Sequence, residues 1–355
     1  MVNGKKSLRF MVVVLAVVFC STVYSSGNGV IKNPEPNMME KEYVLLKRVK
    51  TIGADLGNDE FMFKPFSMTI DRDNNLYVYD LLQAKIIKFD KNLNFVKAFG
   101  RTGQGPGEFS GSHRAFPVFI KMGRDDKLYA HDLNAFKIMA FGRDGGYIDE
   151  YRRSVTNIEF DPTVDAAGNV YLLSVEGGQA KMYNQDKQKL FDFPIGPEVL
   201  HFLFYKPMAF QSSNIERLTA VTGDSRVLIY FRTSSTMYIV KNNKVEREMK
   251  IWPDGALGDY KPQLRELFKQ NKFGYFSLFS RLILDEDDPN VFYLCTASKK
   301  KRINALYQLN MQGQLGRIFY LNSEESSNST HFKFKKNNLF YAIEGENITI
   351  YKEAK

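Results

Sequence analysis

Two cysteines and four histidines are all that 355 residues offer of the nitrogen and sulfur side chains that most often bind metals or cross-link a fold. The histidines, at 113, 131, 201 and 331, form neither H-E-x-x-H nor H-x-H, so the usual zinc spacings are missing. No G-x-S-x-G turn is present, which removes the nucleophile elbow of the α/β-hydrolases. Charge of one sign is also in short supply: 49 basic residues face 40 acidic ones, a balance of +9 that does not call for a nucleic-acid partner. The longest apolar run is only eleven residues, Phe10 to Cys20. A bilayer crossing takes about 20.

That run has a different use. Lys5, Lys6 and Arg9 precede it, and Val23 and Ser25 follow at the two positions a signal peptidase would read. The expectation is a signal peptide over residues 1–25, a flexible segment over 26–41, and export to the periplasm or the exterior with no integral membrane segment left. Lipid attachment at Cys20 is disfavoured, because bulky Phe19 stands where that chemistry takes a small residue. Cleavage after Ser25 removes Cys20 and three basic residues, leaving 46 against 40 and a lone Cys295. An internal disulfide is then impossible, and residues 26–355 must rely on core burial, for which they are long enough.

Glycine, by contrast, is concentrated. Phe99 to Phe109 reads FGRTGQGPGEF. A P-loop needs Lys and a hydroxyl after its last glycine, whereas Gly107 is followed by Glu108 and Phe109. The dinucleotide fingerprint fails as well, since position 108 is a carboxylate and no helical pattern follows. The glycines are turn punctuation, and FGRDGGY (141–147) and FPIGPEV (193–199) look like shorter versions of the same connection.

Self-similarity says what is being punctuated. DRDNNLYVYD, GRDDKLYAHD, DAAGNVYLLS, TGDSRVLIYF, DDPNVFYLCT and FKKNNLFYAI place turn residues before short apolar strands that begin at Leu76, Leu128, Val170, Val227, Val291 and Leu339. The first unit gives four extended runs, 66–70, 76–79, 85–89 and 95–99, joined by Asp/Asn-rich turns, which is an antiparallel meander. In LYVYD both strand faces are apolar or aromatic, as in a sheet covered on both sides. Six such units predict an all-β, six-bladed β-propeller of four-stranded blades over 42–355. The last unit is one strand short, and EYVLLKRVKTI (42–52) can supply it and close the ring. FGRTGQGPGEF becomes the crossing from an outermost strand to the next inner one.

The pattern D-x-x-[GN]-N-[LV]-Y-[VA]-x-D, then I-x-x-F-D and F-G-R-x-G-Q-G-P-G-E-F, resembles the NHL-type exported six-bladed propellers of bacteria, most specifically over Phe61 to Tyr151. That resemblance implies a binding or scaffold module, with a lyase or hydrolase as the less common alternative.

In such a meander the loops leaving strands two and four share one face of the disc, and a ligand is expected there. Candidate binding residues are Arg101, His113, Arg114, Arg232, Tyr275 and Arg281, with His113 and Arg114 a polar pair at the channel mouth. His131 replaces an aromatic within a strand and is read as packed. Pro253 to Arg281 forms a partly helical insertion with an aromatic cluster, which serves either as a lid or as a helix packed on the disc. Lys299 to Arg302 reads as a solvated loop. The sequence therefore points to a monomeric, exported, non-enzymatic propeller without cofactor or metal, engaging a protein, peptide or glycan. The alternative is a propeller enzyme with a polar or metal site at the channel mouth. Intact-mass analysis of the exported form should give a chain that begins at Ser26; a chain beginning at a lipid-modified Cys20 would contradict the cleavage site.

Overall fold

The computed structural model describes residues 43–57, 59–111, 118–123, 125–132, 134–135, 137–152, 163–164, 170–176, 179–183, 188–193, 217–222, 224, 226–231, 236–242, 244–251, 279–296, 305–321 and 330–354. Every regular element among them is a β-strand. The segments 1–41, His113 with Arg114, Arg232 and Tyr275 lie outside the described residues, as do 253–278 of the insertion and the connection 194–199.

An N-terminal strand β1 (Tyr43–Ile52) leads through a small hairpin, β2 (Asp55–Gly57) and β3 (Glu60–Phe61), into six meanders. Blade 1 comprises β4 (Pro65–Ile70), β5 (Leu76–Asp80), β6 (Lys85–Phe89) and β7 (Phe95–Phe99). Blade 2 comprises β8 (Val118–Met122), β9 (Leu128–Asp132), β10 (Lys137–Phe141) and β11 (Tyr147–Arg152). Blade 3 follows as β12 (Thr163–Val164), β13 (Val170–Glu176), β14 (Gln179–Tyr183) and β15 (Lys189–Phe193). Blade 4 holds β16 (Arg217–Val221), β17 (Val227–Phe231), β18 (Thr236–Lys241) and β19 (Lys244–Lys250). Blade 5 holds β20 (Phe279–Leu284), β21 (Val291–Thr296), β22 (Ala305–Asn310) and β23 (Leu315–Tyr320), so the last three residues of the expected insertion, Phe279 to Arg281, belong to its inner strand. Blade 6 has only β24 (Thr330–Lys336), β25 (Leu339–Glu344) and β26 (Asn347–Glu353) of its own.

The missing strand is β1. Leu46 to Ile52 run antiparallel to β26, while Tyr43, Val44 and Leu45 pair in parallel with Ile318, Phe319 and Tyr320 of β23. One strand thus completes blade 6 on its outer edge and stitches it to the outer edge of blade 5. The inner strands β4, β8, β12, β16, β20 and β24 contact one another in that order, and β24 returns to β4. The ring is a six-bladed β-propeller.

Strand periodicity explains how each blade meets two neighbours. In LYVYD, Leu76 and Val78 enter a core with Phe334, Tyr341, Ile343, Ile348 and Ile350 of blade 6. Tyr77 and Tyr79 point the other way, into a core with Val118, Ile120, Leu128, Met139 and Phe141 of blade 2. Blade 5 repeats this: Phe292 and Leu294 pack with Leu228 and Tyr230 of blade 4, and Tyr293 and Cys295 with Phe340 and Ala342 of blade 6. Each such side chain contributes about 1.5–3 kcal/mol on full burial. Inner edges are the remaining liability, because their amides have no partner strand. Blade 1 answers this for blade 2, since the Ser67 hydroxyl accepts from the Ile120 amide at 3.0 Å and the Thr69 hydroxyl from the Met122 amide at 3.0 Å.

Carboxylates organise the turns. Asp71 accepts from the Asp73 and Asn75 amides and from Tyr77, and Arg143 of blade 2 reaches back to it at 3.1 Å. FGRDGGY is therefore the turn between β10 and β11 rather than a crossing between blades. It closes with the Gly142 amide donating to the Gly146 carbonyl at 2.7 Å. A three-residue turn with a left-handed glycine has the same composition as a crossing, which explains the misplacement.

FGRTGQGPGEF does connect blades 1 and 2. It delivers Phe109, fully buried, between Tyr79 and Phe141 at ring distances of 5.2 and 6.0 Å. The Glu108 carboxylate curls back to accept from the Gly105 amide at 2.8 Å and pairs with Arg101 at 2.6 Å. The Gly105 amide and then Arg101 hold its carboxyl below the usual range. Gly107 has φ +72°, and an added Cβ would sit 3.3 Å from Cβ of Tyr147. Gly105 lacks a positive φ, and its added Cβ would meet only the end of the Glu108 side chain, at 3.1 Å. Chemical denaturation should therefore show Gly107→Ala losing about 1 kcal/mol or more and Gly105→Ala clearly less. Equal losses would contradict the geometry.

Candidate functional site

The axial channel is built from residues that alternate with core residues on the inner strands. In β24, Thr330, Phe332 and Phe334 are buried while His331 is exposed and Lys333 is half-buried. In β8, Phe119 and Lys121 alternate with buried Val118 and Ile120. These choices place an arc of side chains on four consecutive blades. Arg281 Nη2 lies 2.7 Å from Nδ1 of His331, which must accept there and so is a neutral imidazole. Lys333 donates to the Phe66 carbonyl at 2.6 Å and stands 5.4 Å from the centroid of the Phe66 ring. Phe66 in turn meets Phe119 edge to face at 5.5 Å.

The two ends of the channel differ. Lys121 of blade 2 pairs with Glu286, in the turn after β20 of blade 5, at 3.1 Å. Blades 2 and 5 are opposite in the ring, so this ion pair lies across the axis on the face of the first-to-second-strand turns. Beside it Lys335 donates to Asp285 at 2.7 Å, and Asp285 also accepts from Tyr293. Arg281 and His331 lie towards the other end, the face that receives the blade crossings.

That crossing face is organised by two buried carboxylates at the ends of second strands. Asp80 accepts from the amides of Phe63, Lys64, Leu82 and Gln83. Asp132 accepts from the amides of Ser110, Asn134 and Ala135 and from the Ser110 hydroxyl. Each thereby fixes the loop entering its blade. One result is that Phe61 and Phe63 stack at 6.1 Å while remaining 42% and 45% exposed, next to the turn that carries Leu82, 54% exposed.

Of the residues picked out from the sequence, Arg281 lies in the channel. Arg101 follows the outer strand β7 and is committed to Glu108, a blade's width from the inner strands. His131 is packed within β9, 1% exposed. Sequence reasoning missed Phe66, Phe119, Lys121, Glu286 and Lys333, and weighed His331 only as a metal ligand. The signal was available in THFKFKK and VFIKM, where polar or aromatic residues interrupt an apolar alternation at inner-strand positions.

Among the described residues at the channel mouth, Arg281 and Lys333 carry positive charge. Burial, Arg281 and Lys333 together push the His331 imidazole down to about 4, and burial pulls the Arg281 guanidinium below its ordinary value. Burial pushes the neighbouring Cys295 thiol up to about 12, which takes it out of nucleophilic use. Among the described residues no three His, Cys, Asp or Glu side chains are grouped to hold a metal ion, and no helix is long and apolar enough to cross a membrane.

With the ring and channel defined, comparison with known proteins settles the family. Residues 56–263 match the family DUF5128, described as 6-bladed beta-propeller. The chain belongs to that family. Among solved structures, the propeller is similar to a Bacteroides fragilis protein described as exported (11% identity, TM-score 0.55, covering 87% of this chain and 96% of that one). A Bacteroides vulgatus member of the DUF4221 family aligns at 11% identity and TM-score 0.53, over 87% and 98% of the two chains. A streptogramin B lyase aligns at 11% identity and TM-score 0.50, over 86% and 88%. At such identities the likeness concerns the fold. No curated protein sequence matches the chain.

The depressed His331 pKa has a consequence with a definite sign. Between pH 6.5 and about 4 the unfolded chain takes up a proton that the folded channel refuses, so stability present above 6.5 declines as pH falls through that window. Calorimetry from pH 7 to 4.5 should show the melting temperature of the parent falling more steeply than that of His331→Asn. In parallel, the His331 ring should remain neutral by NMR at pH 5.5.

Proposed function

We propose that this propeller is an exported, monomeric binding module that engages a protein, peptide or glycan through its crossing face. The observation that carries the proposal is the asymmetry of the disc. One face offers a stacked, exposed Phe61–Phe63 pair with Leu82 and leads into the channel mouth that holds Arg281 and Lys333, while the other has an ion pair across its axis. Loops on a rigid ring are a common way to present binding groups, and exposed stacked aromatics fit an apolar or sugar-ring contact. Export is supported by the basic start and apolar run of residues 1–25, and fits the description of the Bacteroides fragilis structural relative.

Arg281 and His331 favour one competing reading. A neutral imidazole held against a guanidinium is the composition of a base beside an anion stabiliser, so the channel could house a lyase or hydrolase. Capture from envelope extract, using the chain from Ser26 as bait, separates the two. A binding module retains a partner or glycan unchanged, and Phe61→Ser with Phe63→Ser lowers its recovery at least severalfold. Shortened glycan or peptide products that vanish in His331→Asn would instead establish the enzyme.

A further inference from the structure

Among the described residues most arginines, and the lysines at the axis on the other face, are met by carboxylates. Lys335 has Asp285 at 2.7 Å, Lys121 has Glu286 at 3.1 Å, Arg143 has Asp71 at 3.1 Å, Arg226 has Asp224 at 2.9 Å and Arg317 has Glu353 at 2.7 Å. Arg281 departs from this. Among the described residues its guanidinium meets an imidazole nitrogen and no carboxylate, although it is half-buried on an innermost strand. Partly burying a guanidinium without a counter-charge is costly, and a ligand that brings a counter-charge would offset that cost. The surroundings agree in sign. His331 is held neutral next to it, Lys333 follows two residues further along the same strand, and Glu286 and Asp285 are paired with Lys121 and Lys335. A ring-bearing environment is contiguous with the charge, because Lys333 lies against Phe66 and Phe66 against Phe119.

We infer that the channel mouth binds a carboxylate carried on a small ring, the carboxylate paired with Arg281 beside His331 and Lys333 and the ring placed towards Phe66 and Phe119. A planar guanidinium suits this because it can donate two parallel hydrogen bonds to one carboxylate. The inference rests on the binding role proposed for this face and adds the chemical class of the ligand. Two sources offer a carboxylate next to a ring: a uronic acid of a glycan and the carboxyl terminus of a peptide that ends in an aromatic residue.

Calorimetric titration of the chain from Ser26 tests it with four probes: glucuronate and glucose, and N-acetylphenylalanine and its amide. The expected result is that at least one acid binds at least roughly tenfold more tightly than its neutral counterpart. Which acid does so assigns the source. Arg281→Gln should lose that preference while its melting temperature without ligand stays level or rises, since an uncompensated charge has been removed. If that variant fails to fold, the acid-to-neutral comparison in the parent alone decides. Equal binding of acid and neutral probes, no binding of either acid, or an Arg281→Gln variant that keeps the preference would overturn the inference. Retention of one partner from envelope extract by both parent and Arg281→Gln would preserve the binding role and remove the carboxylate site.

Discussion

A sheet with two apolar faces cannot be stable alone, and blades 1 and 5 each pack into a neighbour on both sides. LYVYD is buried at all five positions because neighbours stand on both sides of it. The arrangement satisfies every blade only if the row has no end, which is why closure of the ring governs the rest of the structure. Closure here is made twice. Inside, the side chains of β24, β25 and β26 fill a core with β4, β5 and β6. Outside, β1 pairs with β26 and touches β23, so the first described strand locks the last two blades together. Without β1 the strand left bare would be β26 at the rim, whereas the inner edges would be unchanged.

The channel is a by-product of that closure which has acquired chemistry of its own. Inner strands must converge, and the side chains that cannot enter an inter-blade core project towards the axis. On one side the protein spends them on the Lys121–Glu286 and Lys335–Asp285 pairs, which tie blades 2, 5 and 6. Towards the crossing face it places Arg281, His331 and Lys333, where Arg281 meets a neutral imidazole and Lys333 donates to the Phe66 carbonyl. The first group serves the ring; the second is the site for which a ligand is proposed.

Much of the ring was legible because its signals are local. A period of two, Asp/Asn turns and a repeated L-Y-V-Y-D place β5, β6 and β7 nearly to the residue, and the strand deficit of the last unit points to β1. The FGRDGGY turn was misplaced because left-handed glycines are needed equally in a three-residue hairpin and in a crossing, so composition does not separate them. The channel was hardly legible: the contacts Arg281–His331, Lys333–Phe66 and Lys121–Glu286 join residues 50, 267 and 165 positions apart. On a single inner strand, His331 or Phe119 looks like one more strand residue. Only the order of blades around the ring makes blade 2 face blade 5 and brings four strands to one mouth.

The central claim is that β1 closes the ring, and its most direct measurement compares the chain from Ser26 with one that begins after Ile52, by thermal melting together with light scattering. Closure by β1 predicts a markedly lower melting temperature and concentration-dependent association of the shortened chain through the bared edge of β26. A shortened chain that melts with the parent and stays monomeric at the same concentrations would contradict it.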